Sequence, residues 1–348
     1  MTRRLQIGLK EISDSSDCFI IAEIGHNHQG DLELCKKMFK AAKECGVDAV
    51  KLQKRHNKNL YTKHFLKTPY NSENAFGKTY GLHREALEFG LKEYQELKEY
   101  ANRLNLIFFA TAFDFESADF LDELDMPCFK IASGDLVNLP LLKHIARKNK
   151  PMIISTGGAT MKEIRHAYEA VWEINKKFAF LHCTASYPNQ FDELDLNVIN
   201  TYKIKFPENI IGWSSHDNGI AMALAAYVLG ARIIEKHFTL NHAMKGSDHA
   251  CSLEPIGMRK MVRDLHRARI ALGDGRKKVY ESEKNSLLKM RKKIVASRNL
   301  KKGHIIKEGD LAFKSPGDGL MPYHVDYFYG KKLKINLKED DNLKFKYV

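Results

Sequence analysis

Up to about residue 250, apolar positions follow two rhythms in turn. Short β-rich runs occupy 18–24, 47–53, 106–111, 128–133, 151–156, 178–184, 210–215 and 232–238. Between them lie charged stretches with apolar residues three and four apart, among them 32–45, 91–104, 161–175 and 220–229. This spacing predicts amphipathic helices. Gly46 and Gly230 stand where left-handed helix C-caps belong. Eight strand–helix units argue for a closed (β/α)8 TIM barrel over an open doubly wound sheet. A helix over 257–272 completes the set. The longest interruption, 54–90, follows the second run and reads as a substrate-facing loop.

Beyond the barrel the pattern changes. The expected division is a catalytic barrel over 1–276, a polar link over 277–291, and a small β-rich domain over 292–348. In the last part, LKKGHIIK and LKEDDNLK read as two copies of one strand–turn–strand element. A unit this small has little core of its own, so docking on the barrel or on a partner subunit is expected.

Charge sharpens this division. The chain carries 56 Lys+Arg and 43 Asp+Glu, a net +13. Of these, 24 basic and 11 acidic residues lie from Met258 onward, so the whole excess belongs to the last 91 residues. No aromatic–basic or helix-turn-helix signature accompanies it. A lysine-rich surface, or a field serving an anionic substrate, is therefore expected rather than nucleic-acid binding. No run approaches the length of a membrane span. The opening residues lack the apolar core of a signal peptide, and six cysteines sit singly without a CxxC pair. Reduced thiols in a cytoplasmic protein are expected.

The candidate chemistry lies at the ends of the runs. These ends carry Glu23, then Lys51 and Gln53, Thr111, Lys130 and Ser133, Ser155 and Thr156, His182 and Thr184, Ser214 and His216, and Glu235 and His237. A barrel gathers such ends at one mouth, where active sites lie. His216 and His237 follow neighbouring strands, where two imidazoles can hold one divalent metal and leave positions open for water and substrate. Two histidines that only donate and accept hydrogen bonds are the alternative. His26 and His28, in GHNHQGD, read as structural or loop residues. Lys51 and Lys130 suit an anion clamp. The Ser155-Thr156-Gly157-Gly158 run precedes a helix and is read as a phosphate cradle.

Seven motifs, IAEIGHNHQGD, VKLQ, FKIASGD, ISTGG, LHCTASYP, EKHFTL and GSDHACSLEP, together resemble the sialic acid synthase family. The C-terminal part is similar to an antifreeze-like (SAF) domain. The resemblance implies a C–C bond-forming transferase that condenses phosphoenolpyruvate with an N-acylated hexosamine such as N-acetylmannosamine. The products are a nine-carbon 3-deoxy-2-ulosonic acid and phosphate. It implies a divalent metal, manganese first with magnesium or cobalt as alternatives, on His216 and His237. Lys51, Lys130, Thr111, Ser133, Ser155 and Ser214 match the phosphoenolpyruvate set, with Glu23 beside it and Thr184 grouped with the substrate contacts. Glu235 and Asp248 match carboxylates on the sugar side.

A domain-swapped homodimer, one SAF domain over the other barrel mouth, is also implied. Two positions depart from the family pattern. Ser214-Ser215-His216 replaces Ser-Asp-His, and Ser315 stands where Arg usually precedes Pro-Gly-x-Gly, with Lys314 one step earlier. Lys314 is expected to take part of that arginine's role on the sugar. Legionaminate or pseudaminate synthesis, from a di-N-acetylated 6-deoxyhexose, is the nearest alternative. A non-catalytic carbohydrate- or polyanion-binding protein is the alternative from another class.

Overall fold

Residues 3–348 are described by a computed structural model, in which two compact units divide between Leu272 and Gly273. In the first unit, strands β1 (Arg4–Ile7) and β2 (Lys10–Ser13) form an antiparallel hairpin. Eight parallel strands follow: β3 (Phe19–Gly25), β4 (Ala49–Lys54), β5 (Ile107–Ala112), β6 (Phe129–Ile131), β7 (Met152–Ser155), β8 (Phe178–Cys183), β9 (Ile210–Ser215) and β10 (Ile233–His237). They close in sequence order, with β10 returning to β3. This is the expected TIM barrel. The hairpin was not legible in the apolar pattern, because each of its strands is only four residues long.

Strand parity sorts the barrel into an inside and an outside. Phe19, Ile21, Ala49, Phe109, Cys128, Ile153, Ala179, Leu181, Ile210 and Ile233 point inward and pack with Leu5, Ile7 and Ile12 of the hairpin. The hairpin therefore plugs the N-terminal end. Alternate residues, such as Ile20, Val50, Phe108, Phe129, Ile154, Phe180 and Trp213, belong to the larger core beneath the helices.

Helix ends follow the sequence signals. The helix Leu32–Cys45 opens at Asp31, whose side chain accepts from the Leu34 N–H, and ends at Gly46 in the left-handed region (φ 87°). Gly230 closes Ala221–Leu229 in the same way (φ 112°). The 54–90 interruption holds three short helices, Asn57–Leu60, Lys63–Lys67 and Tyr80–Glu85.

The second unit holds the helix Lys284–Met290 and an antiparallel pair, β11 (Lys293–Ala296) and β12 (Leu311–Lys314). The helix lies within the stretch read as a polar link. Leu300 and Leu337, which open the two repeated octets, exchange both backbone hydrogen bonds at 2.8 Å. The two copies thus pair at equivalent positions. Ile294, Ala296, Leu300, Ile306, Leu311, Phe328, Leu333, Leu337 and Leu343 give the unit its own buried core. Among the described residues no helix is long and apolar enough to cross a membrane.

One glycine ties the loop after β3 to the end of the long interruption. At Gly30 φ is +76°, and an added Cβ would lie 2.1 Å from the Ala86 carbonyl oxygen. Gly30→Ala is expected to lower stability by more than about 1 kcal/mol, because both φ and space oppose a side chain. Urea denaturation measures it, and an unchanged midpoint would contradict this close approach.

Candidate active site

The inward rows that are apolar at the plug turn polar one step nearer the C-terminal mouth. Glu23, Lys51, Thr111, Lys130, Ser155, Ser214 and Glu235 each stand two residues beyond an inward apolar residue or, at Ser214, beyond Gly212. Lys51 Nζ lies 2.7 Å from Glu23 Oε2 and 3.7 Å from Glu235 Oε1, and it donates to Thr111 Oγ1 at 2.8 Å. Lys130 Nζ donates to Ser155 Oγ at 2.6 Å and lies 3.9 Å from Glu235 Oε1. Gln53 Nε2 donates to Glu23 Oε1 at 2.7 Å, and Ser214 Oγ to Glu235 Oε1 at 3.3 Å.

Two cations and two carboxylates therefore share one buried layer, each residue no more than 6% exposed. Burial pulls the Lys130 ammonium below its usual range. Burial also works to raise Glu235, but Lys130 and Lys51 outweigh it and hold the carboxyl low. Glu235 Oε2 is buried without a hydrogen-bond partner.

The same parity carries His216 and His237 inward, with ring centroids 5.3 Å apart. Asn189 holds the end of β9: its Oδ1 accepts from the His216 N–H at 2.8 Å and from Ser215 Oγ at 3.1 Å. His216 Nδ1 lies 3.3 Å from the Thr184 carbonyl, which can only accept. The proton therefore sits on Nδ1 and leaves the Nε2 lone pair free. Burial, then His237, depresses this imidazole to about 3, so it is neutral at physiological pH. Tyr187 lies against its ring at 3.8 Å. His237 Nδ1 is buried without a hydrogen-bond partner, 3.9 Å from Asp248 Oδ2.

Gly25 (φ +56°) makes room for this convergence. A Cβ there would lie 3.2 to 3.5 Å from Gln53 Nε2, Glu23 Oε1 and Asp248 Oδ2. The lysine–glutamate layer, Gln53, Tyr187, both histidines and Asp248 line one cavity of about 330 Å³.

Of the expected site residues, Glu23, Lys51, Thr111, Lys130, Ser133, Ser155, Ser214, His216, Glu235, His237 and Asp248 line this cavity. Thr184 does not, and the expectation that it contacts substrate is corrected. Inward positions on β8 are odd-numbered, so the Thr184 side chain faces the other way, and its hydroxyl donates to the Glu193 carbonyl at 2.9 Å. The phosphate cradle also narrows. The Thr156 N–H is bonded to Leu181 and the Gly157 N–H to Ser133 Oγ, which leaves mainly the Ser155 hydroxyl for an anion. Lys314 lies in the second unit, exposed and paired with Asp340 at 2.5 Å.

His28 is structural: it stacks on Phe89 at 4.2 Å, and its Nδ1 accepts from the Gly30 N–H. His26 is not, because it lines the cavity between Arg55 and Arg84. Neither arginine was singled out in the sequence. Arg55 continues the 51, 53, 55 inward alternation and was legible in principle. Arg84 sits in a short helix of the long loop, where no periodicity points to the mouth.

Comparison with known proteins now gives the family. The NeuB family profile matches residues 38–277 and the SAF domain profile residues 291–346. The chain is 40% identical to the human N-acetylneuraminate-9-phosphate synthase over 327 residues, which cover 94% of this chain and 91% of that protein. It is also 40% identical to the N,N'-diacetyllegionaminic acid synthase of Campylobacter jejuni, over 92% of this chain and 97% of that one. Among solved structures it resembles the N-acetylneuraminic acid synthetase of Leptospira borgpetersenii, crystallised with citrate. That match has a TM-score of 0.72 and 34% identity, covering 82% of this chain and 96% of that one. The chain belongs to the NeuB family and carries a SAF domain.

A second buried ion pair supports the β9–β10 end from outside. Lys236, between the inward Glu235 and His237, donates to Asp217 Oδ1 at 2.8 Å, and Ser215 Oγ donates to the same oxygen at 2.7 Å. Lys236→Met would leave that carboxylate buried at 1% exposure without its cation. The expected cost is about 3–5 kcal/mol, read by chemical denaturation of the barrel. A loss under about 1 kcal/mol would contradict a buried charged pair here.

Proposed function

We propose that the protein is a nonulosonic acid synthase that joins phosphoenolpyruvate to an N-acylated hexosamine. The observation that carries this reading is the polar layer itself. Lys51 and Lys130, with Thr111 and Ser155, sit at the cavity floor, while two histidines and Asp248 stand nearer its mouth. Family membership supports the same chemistry. In it, C3 of phosphoenolpyruvate bonds to the open-chain sugar aldehyde carbon, water adds at C2, and phosphate leaves with its bridging oxygen.

Lys51 and Lys130 would hold the phosphate and carboxylate charge, with the Ser155 and Thr111 hydroxyls beside them. Glu23, fixed by Lys51 and Gln53, is placed to orient the water. Asp248 and Glu235 would accept from sugar hydroxyls.

The donor set fits a divalent cation. His216 presents a free Nε2, and His237 Nδ1 is buried without a hydrogen bond. There is also an electrostatic reason. The lysine–glutamate layer is already balanced, so an incoming anion needs a further positive charge nearby. Manganese is the first choice, with magnesium or cobalt as alternatives; bound at His216 and His237, it would supply Lewis-acid polarisation of the sugar carbonyl.

Two finer parts complete the reading. One, implied by the resemblance, is a homodimer in which a SAF domain covers the partner's barrel mouth, with Lys314 near the N-acyl group. The other, drawn from the cysteines, is a reducing, cytoplasmic setting, supported by six thiols that are all buried and unpaired.

Phosphate release should require both phosphoenolpyruvate and a hexosamine, and oxygen from labelled water should appear at product C2 and not in phosphate. Label in phosphate, or turnover with pyruvate in place of phosphoenolpyruvate, would sink the reading. His216→Ala and His237→Ala should each abolish turnover with added manganese while retaining the melting temperature. Near-normal activity in either would remove the metal assignment. Lys51→Ala and Lys130→Ala should each lose roughly tenfold or more in kcat/KM for phosphoenolpyruvate. An effect confined to the sugar KM would contradict the anion clamp.

A further inference from the structure

Part of the chain's charge excess has no place in the condensation. Residues 1–257 carry 32 basic and 32 acidic side chains, so the first unit's whole surplus falls in 258–272, with five basic groups and one acid. All six lie on one helix, Pro255–Ala271, on the outer wall of the barrel. Met258, Met261, Val262 and Leu265 form its buried face. None of its residues lines the catalytic cavity. The helix leads away from the mouth, and Arg269 near its end donates to the Ser15 carbonyl, just past the hairpin that plugs the barrel floor.

Helical spacing gathers the opposite face. Ile256, Lys260, Arg263, Arg267 and Ile270 follow one another at intervals of four and three residues, with Arg259 and His266 beside them. All seven are exposed, Ile256 at 66% and Ile270 at 81%. Four cations and no carboxylate therefore lie between two bare isoleucines about 21 Å apart along the axis. Asp264, the only acid of the helix, stands at the edge of this face, 2.8 Å from Arg263 Nε and 4.0 Å from Arg267 Nη1. The adjoining helix Ala221–Leu229 has no charged residue and leaves Val228 exposed at 53%.

We propose that this wall of the barrel docks on an anionic lipid surface, with the helix Pro255–Ala271 lying flat along it. The arginines and Lys260 meet headgroup phosphates, while Ile256, Ile270 and Val228 sink to the acyl boundary. This is contact from one side and needs no membrane span. Charge and apolar pattern together favour this occupant over others. A second copy meeting the face about a two-fold axis would set Lys260, Arg263 and Arg267 against like charges. A nucleic acid would engage the cations but leave the isoleucines in water, and the seven positions include no Phe, Tyr or Trp on which bases could stack. A lipid surface uses both kinds of residue. With the wall against the bilayer, the mouth at the end of the barrel stays open to solvent, so the proposal does not rest on the catalytic reading.

The test is co-sedimentation of the full-length protein with vesicles. Mixed phosphatidylcholine–phosphatidylglycerol vesicles should bind at least about tenfold more tightly than pure phosphatidylcholine, and added salt should weaken the binding. Arg259→Glu, Lys260→Glu and Arg267→Glu together should lower it at least about tenfold. The same charge change at exposed sites of the basic second unit, Lys301→Glu, Lys302→Glu and Lys332→Glu, should lower it less than about threefold. Ile270→Ser, which breaks no ion pair, should weaken binding about fivefold, and it keeps the test readable should the triple variant not fold. No preference for the anionic vesicles, or equal loss in the two triple variants, overturns the docking face. Unchanged binding in Ile270→Ser overturns it as well, and tight binding of single-stranded RNA would then mark a general polyanion site. A changed oligomeric state in the first triple variant, read by sedimentation velocity, would assign the face to a contact between copies and also overturn the proposal.

Discussion

Four charges buried in one layer, Lys51, Lys130, Glu23 and Glu235, set the terms for everything above them in the barrel. Removing an ion from water costs several kcal/mol, and only close, well-bonded opposite charges offset it. The barrel meets that condition by geometry. Parallel strands in sequential register bring β3, β4, β6 and β10 to one height, and parity points the four side chains at one another. Below them the hairpin and the inward apolar rows keep water out. Above them the cavity opens to the histidines and to the arginine cluster.

A balanced layer cannot simply accept a phosphorylated substrate. Phosphoenolpyruvate would draw Lys51 and Lys130 away from Glu23 and Glu235 and leave buried carboxylates short of compensation. In the proposed reading, a divalent cation held by His216 and His237 would restore the balance from the other side. On that reading the anion and cation sites would be coupled through the buried carboxylates that lie between them.

Much of the barrel was legible in the chain because each strand's apolar run and each helix's periodicity are local signals. The eight runs and the glycine caps at 46 and 230 are of this kind. The site was legible for the same reason, since residues two steps beyond an inward apolar residue inherit its direction. Thr184 shows the limit: it ends a run as Ser155 and Thr111 do, but its parity turns it to the loop at Glu193. The hairpin at the barrel floor is too short to carry a pattern. Arg84 reaches the cavity through a loop whose path depends on close contacts such as that between Gly30 and Ala86. The Lys236–Asp217 pair was hidden because a buried cation facing the helices looks, in sequence, like a solvent-exposed one.

The most direct measurement is calorimetric titration of phosphoenolpyruvate into the full-length protein, with and without saturating manganese. Coupling through the shared carboxylates predicts binding at least about tenfold tighter with the metal, a change of roughly 1.4 kcal/mol. It also predicts the same factor when manganese is titrated with and without phosphoenolpyruvate. Equal affinity for phosphoenolpyruvate in both conditions would contradict the idea that the two sites compete for the same buried carboxylates.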